Sequence, residues 1–525
     1  MWNVKLTSDK WYCNDKVYVR GYAYVATQGN EICLQGKEFA DYLDVPTERE
    51  WQQRISECNG LFAVVRNAQD WSDAALDASR IYPLYYRMQQ DMLFIVDNPY
   101  LLLQKGDVED SESIEEYMAM AAPASGKTLV ENISQIKPAH YLCSDNTQKP
   151  FYRYLVRYSE LEMPTMDIFE SILQRVFERV LQFVNGNQIV VPLSGGNDSR
   201  LILCMLRRLN YKNVICYTIG RPDNWEKKIA EKVAKQLRYP IFYIDTTTAE
   251  ACSLISTDNT EFIDYSLFIG NLGNFVWLFE FPAIHFLQER GVLQPNAVFI
   301  PGHSADFNAG SHLQKGCISE IDSIRYLTSA MMYDNCEYQG RRIKRQIENY
   351  ISCHIKERYT SWSVYQSFIF QNRLPHNINN SARIYEYFGY DVCLPFWDRE
   401  FLELFRKMPY EGLKECCFYT NFICNRIFTP LGVNFFQTKH PISFYRKQKI
   451  RKRLKALLPA QLTHTLAHLS DTIGEYELMQ PLLKELIENG KYKTERDFCS
   501  NNQVIRDWYL MKVRQLLEKL NSSVE

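Results

Sequence analysis

Hydrophobic and polar positions change their period along the chain, and each change marks a new kind of element. Within residues 1–150, the stretches 11–25, 62–67, 83–88 and 91–98 are short aromatic and β-branched runs, several of them separated by polar turns. They read as strands. One modest helix candidate, 38–44, lies among them, and 111–122 has helical composition. Many short strands with few helices predict an antiparallel layered, β-rich domain. The polar stretch 144–150 then marks a boundary. Beyond it Ile168, Ile172, Leu173, Val176, Val180 and Leu181 recur at three- and four-residue steps, which predicts an amphipathic helix over 166–184. A strand running into glycines follows at 188–196, then a helix over 199–209, a strand over 213–220, a helix over 224–237 and a strand over 240–245. This β-α-β-α-β alternation predicts a parallel sheet with crossover helices. From 250 onward the chain reads as mostly helical, with one further short strand at 296–302. The fold class predicted is α/β: a β-rich domain over 1–150 and a parallel-sheet domain with a large helical part over 160–525.

Composition narrows the function classes. The 525 residues are 46% hydrophobic, enough for several buried cores. Sixty basic residues against 62 acidic ones leave a net charge of -2, so no nucleic acid is expected as a partner. The run 446–453 (RKQKIRKR) is locally basic and reads as a solvated helix face. No apolar run approaches the ~18–20 residues that span a bilayer, so no membrane is expected either. The start of the chain lacks the layout of a signal peptide and reads as a strand. Fifteen scattered cysteines without a CxxC pair point to reduced thiols and a cytoplasmic location. The Asn-x-Ser matches at Asn132, Asn197, Asn379 and Asn521 are then chance matches.

The segment from Val191 to Arg200 (VPLSGGNDSR) carries the chemistry. A buried strand ends in Ser194-Gly195-Gly196 and turns directly into a helix. Adjacent glycines permit a sharp turn that presents consecutive N–H groups to an anion, and the helix adds its positive end. Ser194 and Ser199 can donate to the same phosphates. Asp198 would repel a phosphate, so its role is to hold Mg²⁺ that bridges to one. The plainer alternative is a Gly-Gly turn with Asp198 as a helix cap. Ser125-Gly126-Lys127-Thr128 ends like a P-loop, but it has Ala121 in place of the first glycine and follows a helix, which removes the cradle.

The Ser-Gly-Gly-x-Asp-Ser loop resembles the pyrophosphate-binding signature of the PP-loop ATPases, and its surroundings resemble the asparagine synthetases. Tyr217 to Pro222, followed by Glu226, is similar to that family's second strand and adenosine-side loop, which implies Ile219 and Glu226 as nucleotide contacts. Pro301-Gly302-His303-Ser304-Ala305-Asp306 resembles the family's Ser-Gly-Glu-Gly-Ser-Asp loop, which implies Gly302 at the nucleotide and Asp306 as a second metal ligand. Asp391 to Asp398 resembles its Glu-x-Arg-x-Pro-Phe-Leu-Asp segment. Asn59 to Ala63 and Pro83 to Tyr86 resemble pieces of its glutaminase domain, and Ile136 to His140 its connector.

Four positions depart from that pattern. Trp2 stands where glutamine-hydrolysing members carry the nucleophilic cysteine, which implies a glutaminase fold without glutaminase chemistry. His303 replaces the family's catalytic glutamate; it reads either as a general base working near pH 7 or as a lining residue, with Tyr385 and Glu386 the next candidates. The stretch 419–424 lacks the lysine expected to face the phosphates; Lys439 could supply that charge or be a solvated loop residue. Cys393 stands in place of the arginine.

The function expected is an ATP-dependent ligase that adenylates a small-molecule carboxylate and forms an amide with ammonia or a substrate amine, with ATP and Mg²⁺ as cofactors. A homodimer is compatible with this. The alternative expectation is an ATP-binding relative that acts as a partner subunit; an RNA-adenylating enzyme ranks below both.

Overall fold

The computed structural model describes residues 2–522 apart from 28–29, 125, 314–323, 337–339, 436–470, 472, 496 and 499. Two sheets occupy the N-terminal part. The larger runs in the order Gln148–Pro150, His140–Leu142, Ser72–Leu76, Asn59–Asn67, Val17–Thr27 and Tyr12–Cys13, and Asn30–Gln35 also pairs with Val17–Thr27. The smaller runs Asn3–Lys5, Met92–Val96, Tyr85–Gln89 and Ser134–Gln135. All pairs are antiparallel except Asn3–Lys5 with Met92–Val96.

Side-chain alternation on the central strands sets the layers. Phe62 and Val64 face an outer core with Phe39, Leu43, Trp51 and Ile55, whereas Leu61, Ala63 and Val65 face the rest of the molecule. Helix Gly36–Leu43 matches the expected 38–44. A second covering helix, Glu48–Glu57, was not anticipated, and neither was strand Asn30–Gln35. Of that helix's ten residues only Trp51 and Ile55 are buried, too thin a stripe to register as periodicity.

Helix Met166–Val184 begins at a Thr165 cap that accepts from the Ile168 N–H and ends at Asn185 in the left-handed region (φ 48°). Its buried stripe is Phe169, Leu173, Val176, Phe177, Val180 and Val184. Leu173, Val176 and Val180 are buried as expected and Ile172 and Leu181 pack against the core, whereas Ile168, expected on the same stripe, is 47% exposed. The chain then builds a five-stranded, all-parallel sheet in the order Ile241–Asp245, Val214–Gly220, Ile189–Pro192, Val298–Phe299, Asp391–Val392. Helices Asn197–Arg208 and Trp225–Leu237 are the crossovers. The strand expected over 296–302 is ordered as a strand only at Val298–Phe299.

The two parts are joined by charge and ring contacts. Arg179 grips Asp398 through Nε (2.7 Å) and Nη2 (2.8 Å) and also reaches Glu31 on the N-terminal sheet (3.0 Å). The Tyr22 ring stacks on Phe183 at 3.9 Å, and its hydroxyl donates to the Cys393 sulfur. Cys393, standing in for an arginine, is therefore an interdomain packing residue. The final helices, Glu475–Glu488 and Asn501–Ser522, pack on each other, and the second returns to the N-terminal part. Its Tyr509 shares a hydrogen bond with Tyr100 (2.8 Å) and accepts from the Leu272 N–H (2.8 Å). Gly270 admits that ring, because an added Cβ would fall 2.3 Å from it. No helix among the described residues is long and apolar enough to cross a membrane. The thirteen described cysteines are unpaired.

Candidate active site

The strand Ile189–Pro192 is flanked by parallel neighbours on both sides, so its carboxyl end opens into a crevice, the usual binding position of such sheets. The crevice is a cavity of about 520 Å³. It is lined by Ser194, Gly196, Asp198, Ser199, Ile219, Glu226, Gly302, His303 and Asp306, all expected from sequence. Gly195 does not line it: an added Cβ there would meet the Glu226 Cα at 3.1 Å. Lys439 lies outside the described residues.

The loop is held by its own side chains. Ser194 N–H donates to the Ser199 hydroxyl (3.3 Å), and Gly196 N–H donates to the Ser194 hydroxyl (3.2 Å). Arg200, buried behind the loop, fixes the Gly195 carbonyl at 3.0 Å. Gly195 N–H points at the Glu226 carboxylate (3.4 Å), so an acidic oxygen sits on one of the amides expected to receive phosphate. Gly302 is required for close approach, since a Cβ would fall 2.6 Å from the Ser199 nitrogen.

Asp198 and Asp306 come together from different segments. The Asp306 N–H donates to Asp198 Oδ2 (3.0 Å), and the Tyr419 hydroxyl donates to Oδ1 (2.9 Å). Burial and the neighbouring Asp306 push the Asp198 carboxyl up to about 8. Two neighbouring carboxylates beside two serine hydroxyls form a hard oxygen donor set that suits Mg²⁺. The residues present therefore fit a magnesium-bridged phosphate. Tyr419 takes the region where a lysine was expected, with a neutral donor.

His303 has a buried Nδ1 without a hydrogen-bond partner, and burial lowers its pKa to about 4. The imidazole therefore stays neutral well below pH 6, outside the ordinary histidine range. Of the substitute bases, Glu386 is occupied by Arg20 (2.8 Å) and Arg383 (3.3 Å). Tyr385 is buried beneath the sheet, stacked on Phe299 at 4.2 Å.

Sequence reasoning missed Trp277, Phe279, Glu280, Tyr419, Cys416 and Ile473, all of which line the cavity. Glu280 accepts from the Tyr217 hydroxyl (2.8 Å) and the Tyr385 hydroxyl (3.4 Å). Its signal in the sequence was a single acid inside the aromatic run Phe275 to Phe281. Ile473 arrives from the C-terminal helix pair, anchored by Thr246 on its carbonyl and by Arg221 bonded to Glu477 at 2.7 Å.

No curated protein matches the chain. Residues 173–265 match the family model of asparagine synthase. That stretch holds the loop Ser194–Ser199, the three strands Ile189–Pro192, Val214–Gly220 and Ile241–Asp245, and the crossover helices between them. Over this stretch the chain is similar to asparagine synthase, whose family comprises ATP-dependent amide-forming ligases.

Proposed function

We propose that the chain adenylates a small-molecule carboxylate with Mg-ATP and then forms an amide, releasing pyrophosphate and AMP, without hydrolysing glutamine. The observation that carries this reading is the convergence of the loop Ser194–Ser199 with the Asp198–Asp306 pair on one wall of a ligand-sized cavity. Mg-ATP, when bound, supplies an electrophilic phosphorus and a pyrophosphate leaving group. Asp198 and Asp306 hold the metal. Ser194, Ser199 and the amide of Gly196 orient the phosphates, and Gly195 contributes its amide once Glu226 yields it. Ile219 and Glu226 bound the nucleoside end, and Gly302 allows His303 and the loop to approach each other. His303 is the group placed to take a proton from the incoming nitrogen; burial keeps it neutral and able to accept, at the cost of lower basicity. Such catalysis is mostly positioning and electrostatics.

Trp2 supports the loss of glutaminase chemistry. It is packed in the core at 9% exposure, and its backbone N–H (2.8 Å) and carbonyl (3.0 Å) are both bonded to Asn67. The nearest thiol, Cys13, is exposed on a short edge strand. The protein works in the cytoplasm on small molecules, with ammonia or a substrate amine as nitrogen source. Its domains divide at 150–160, and a homodimer is compatible with this reading.

A second reading, an ATP-binding partner subunit without ligase activity, draws on Tyr419 in the place of lysine. Carboxylate-dependent release of pyrophosphate separates the two. The ligase reading requires it from ATP with at least one member of a carboxylate panel plus ammonium, and requires Asp198→Ala to abolish it. ATP binding with no pyrophosphate across the panel favours the partner reading. Glutamate released from glutamine above background refutes the loss of glutaminase chemistry.

A further inference from the structure

The charge of the cavity is one-sided. Four carboxylates line it (Asp198, Glu226, Glu280 and Asp306), and no described lining residue is lysine or arginine. Three of them belong to the phosphate end, through the loop amide or the metal pair. Glu280 does not. It sits at the start of helix Phe281–Glu289 and faces the crevice beside Trp277 and Phe279. Tyr217 and Tyr385 both donate to one of its oxygens, Oε1, and among the described residues no cation pairs with it. Burial raises the Glu280 pKa, and donation from Tyr217 and Tyr385 and the nearby Trp277 indole offset this in part; a cation in the crevice would favour the charged form further.

A carboxylate removed from water is costly unless a cation or a full set of donors satisfies it. Here two phenols fix one oxygen, and the side that faces the cavity remains. Aromatic walls beside a fixed carboxylate are a standard receptor for a protonated nitrogen, because the ring faces and the anion attract the same charge. We propose that Glu280, positioned by Tyr217 and Tyr385, is the binding site for a protonated amine. The nitrogen that enters amide formation is delivered there as ammonium or as an alkylammonium group of the substrate. The identity of the bound group as the nucleophile rests on the ligase reading above; the binding of a cationic nitrogen at Glu280 does not.

The test is calorimetric titration of the full chain with three probes at constant ionic strength: ammonium chloride, n-butylammonium chloride and the neutral alcohol 1-pentanol, one methylene longer, against a potassium chloride control. The parent is expected to bind a protonated amine in preference to 1-pentanol. Glu280→Gln should weaken that binding by roughly 10- to 100-fold, the worth of a hydrogen bond to a charged group. ATP affinity is measured on the same preparations, and a thermal melt of each shows whether the variant is folded. Ammonium bound and butylammonium excluded assigns free ammonia; the reverse assigns a substrate amine. A parent that binds 1-pentanol as well as butylammonium, or neither amine, overturns the proposal even where Glu280→Gln does not fold. Unchanged amine affinity in a folded Glu280→Gln protein overturns it too. Failure of the parent to bind ATP would refute the ligase reading while leaving the amine site standing.

Discussion

Replacing Gly302 with alanine adds one methyl group at the closest contact in the candidate site. The new Cβ would lie 2.6 Å from the Ser199 nitrogen, 3.0 Å from the Asp198 carbonyl carbon and 3.1 Å from the Ser199 Cα. All three neighbours are backbone in the first turn of helix Asn197–Arg208, whose Leu201, Ile202 and Leu203 are fully buried, so the helix has little room to retreat. Overpacking of this kind costs about 1–3 kcal/mol. If the whole chain unfolded as one unit, an unfolding entropy of about 1.1 kcal/mol/K would turn this into a fall in Tm of only about 1–3 °C. The effect on nucleotide binding should be larger. Moving the loop removes one or more amide or hydroxyl donors from a charged phosphate, each worth about 1.5–3 kcal/mol, or roughly 10- to 150-fold in affinity. The assay is calorimetric titration of Mg-ATP into parent and Gly302→Ala protein, with a thermal melt of each. A weakened nucleotide with a nearly intact Tm is the expected outcome. Parental ATP affinity in a folded variant would refute the assignment of Gly302 and the loop behind it to phosphate binding.

Asp198→Asn keeps the shape and the Tyr419 contact but removes a metal ligand; Mg²⁺-dependent ATP binding should be lost while the melt persists, read by titration with and without magnesium. His303→Gln should slow amide formation by roughly 10²–10⁴-fold with pyrophosphate release largely kept. Because the parent imidazole titrates near 4, its activity between pH 5 and 8 should not follow a histidine curve. Asp73, buried and beside Glu48, has its carboxyl pushed up to about 8. A raised carboxyl pKa means that its contribution to stability is complete below about pH 4 and is lost as pH rises towards 8, by at most about 1.4 kcal/mol per pH unit. Asp73→Asn should therefore match the parent near pH 4 and exceed it increasingly up to pH 8, as measured by denaturation midpoints.

The phosphate loop was legible because its chemistry is local: glycines, hydroxyls and an acid within six residues, between a strand and a helix. The crossover pattern was legible for the same reason, since each strand there is a mostly apolar run between helical stretches. Glu280 was not, because its environment is made by Tyr217 and Tyr385, which lie 63 and 105 residues away. Helix Glu48–Glu57 hid behind polar residues, and the face of helix Met166–Val184 was read correctly except at its start, where Phe169 is buried and Ile168 is not. The neutrality of His303 comes from burial, which no motif encodes.

The Tyr100–Tyr509 contact joins residues 409 positions apart. At synthesis rates of about 5–20 residues per second, the N-terminal sheets wait roughly 20–80 seconds for the helix that covers them. During that interval the Tyr100 and Tyr117 rings, which later meet Tyr509, have no cover. The Ile473 wall of the crevice is missing for nearly as long. A nascent chain therefore carries a sticky, incomplete surface through most of translation. Slowing the ribosome over the last hundred codons should lengthen that exposure and increase aggregation without altering one residue of the finished protein.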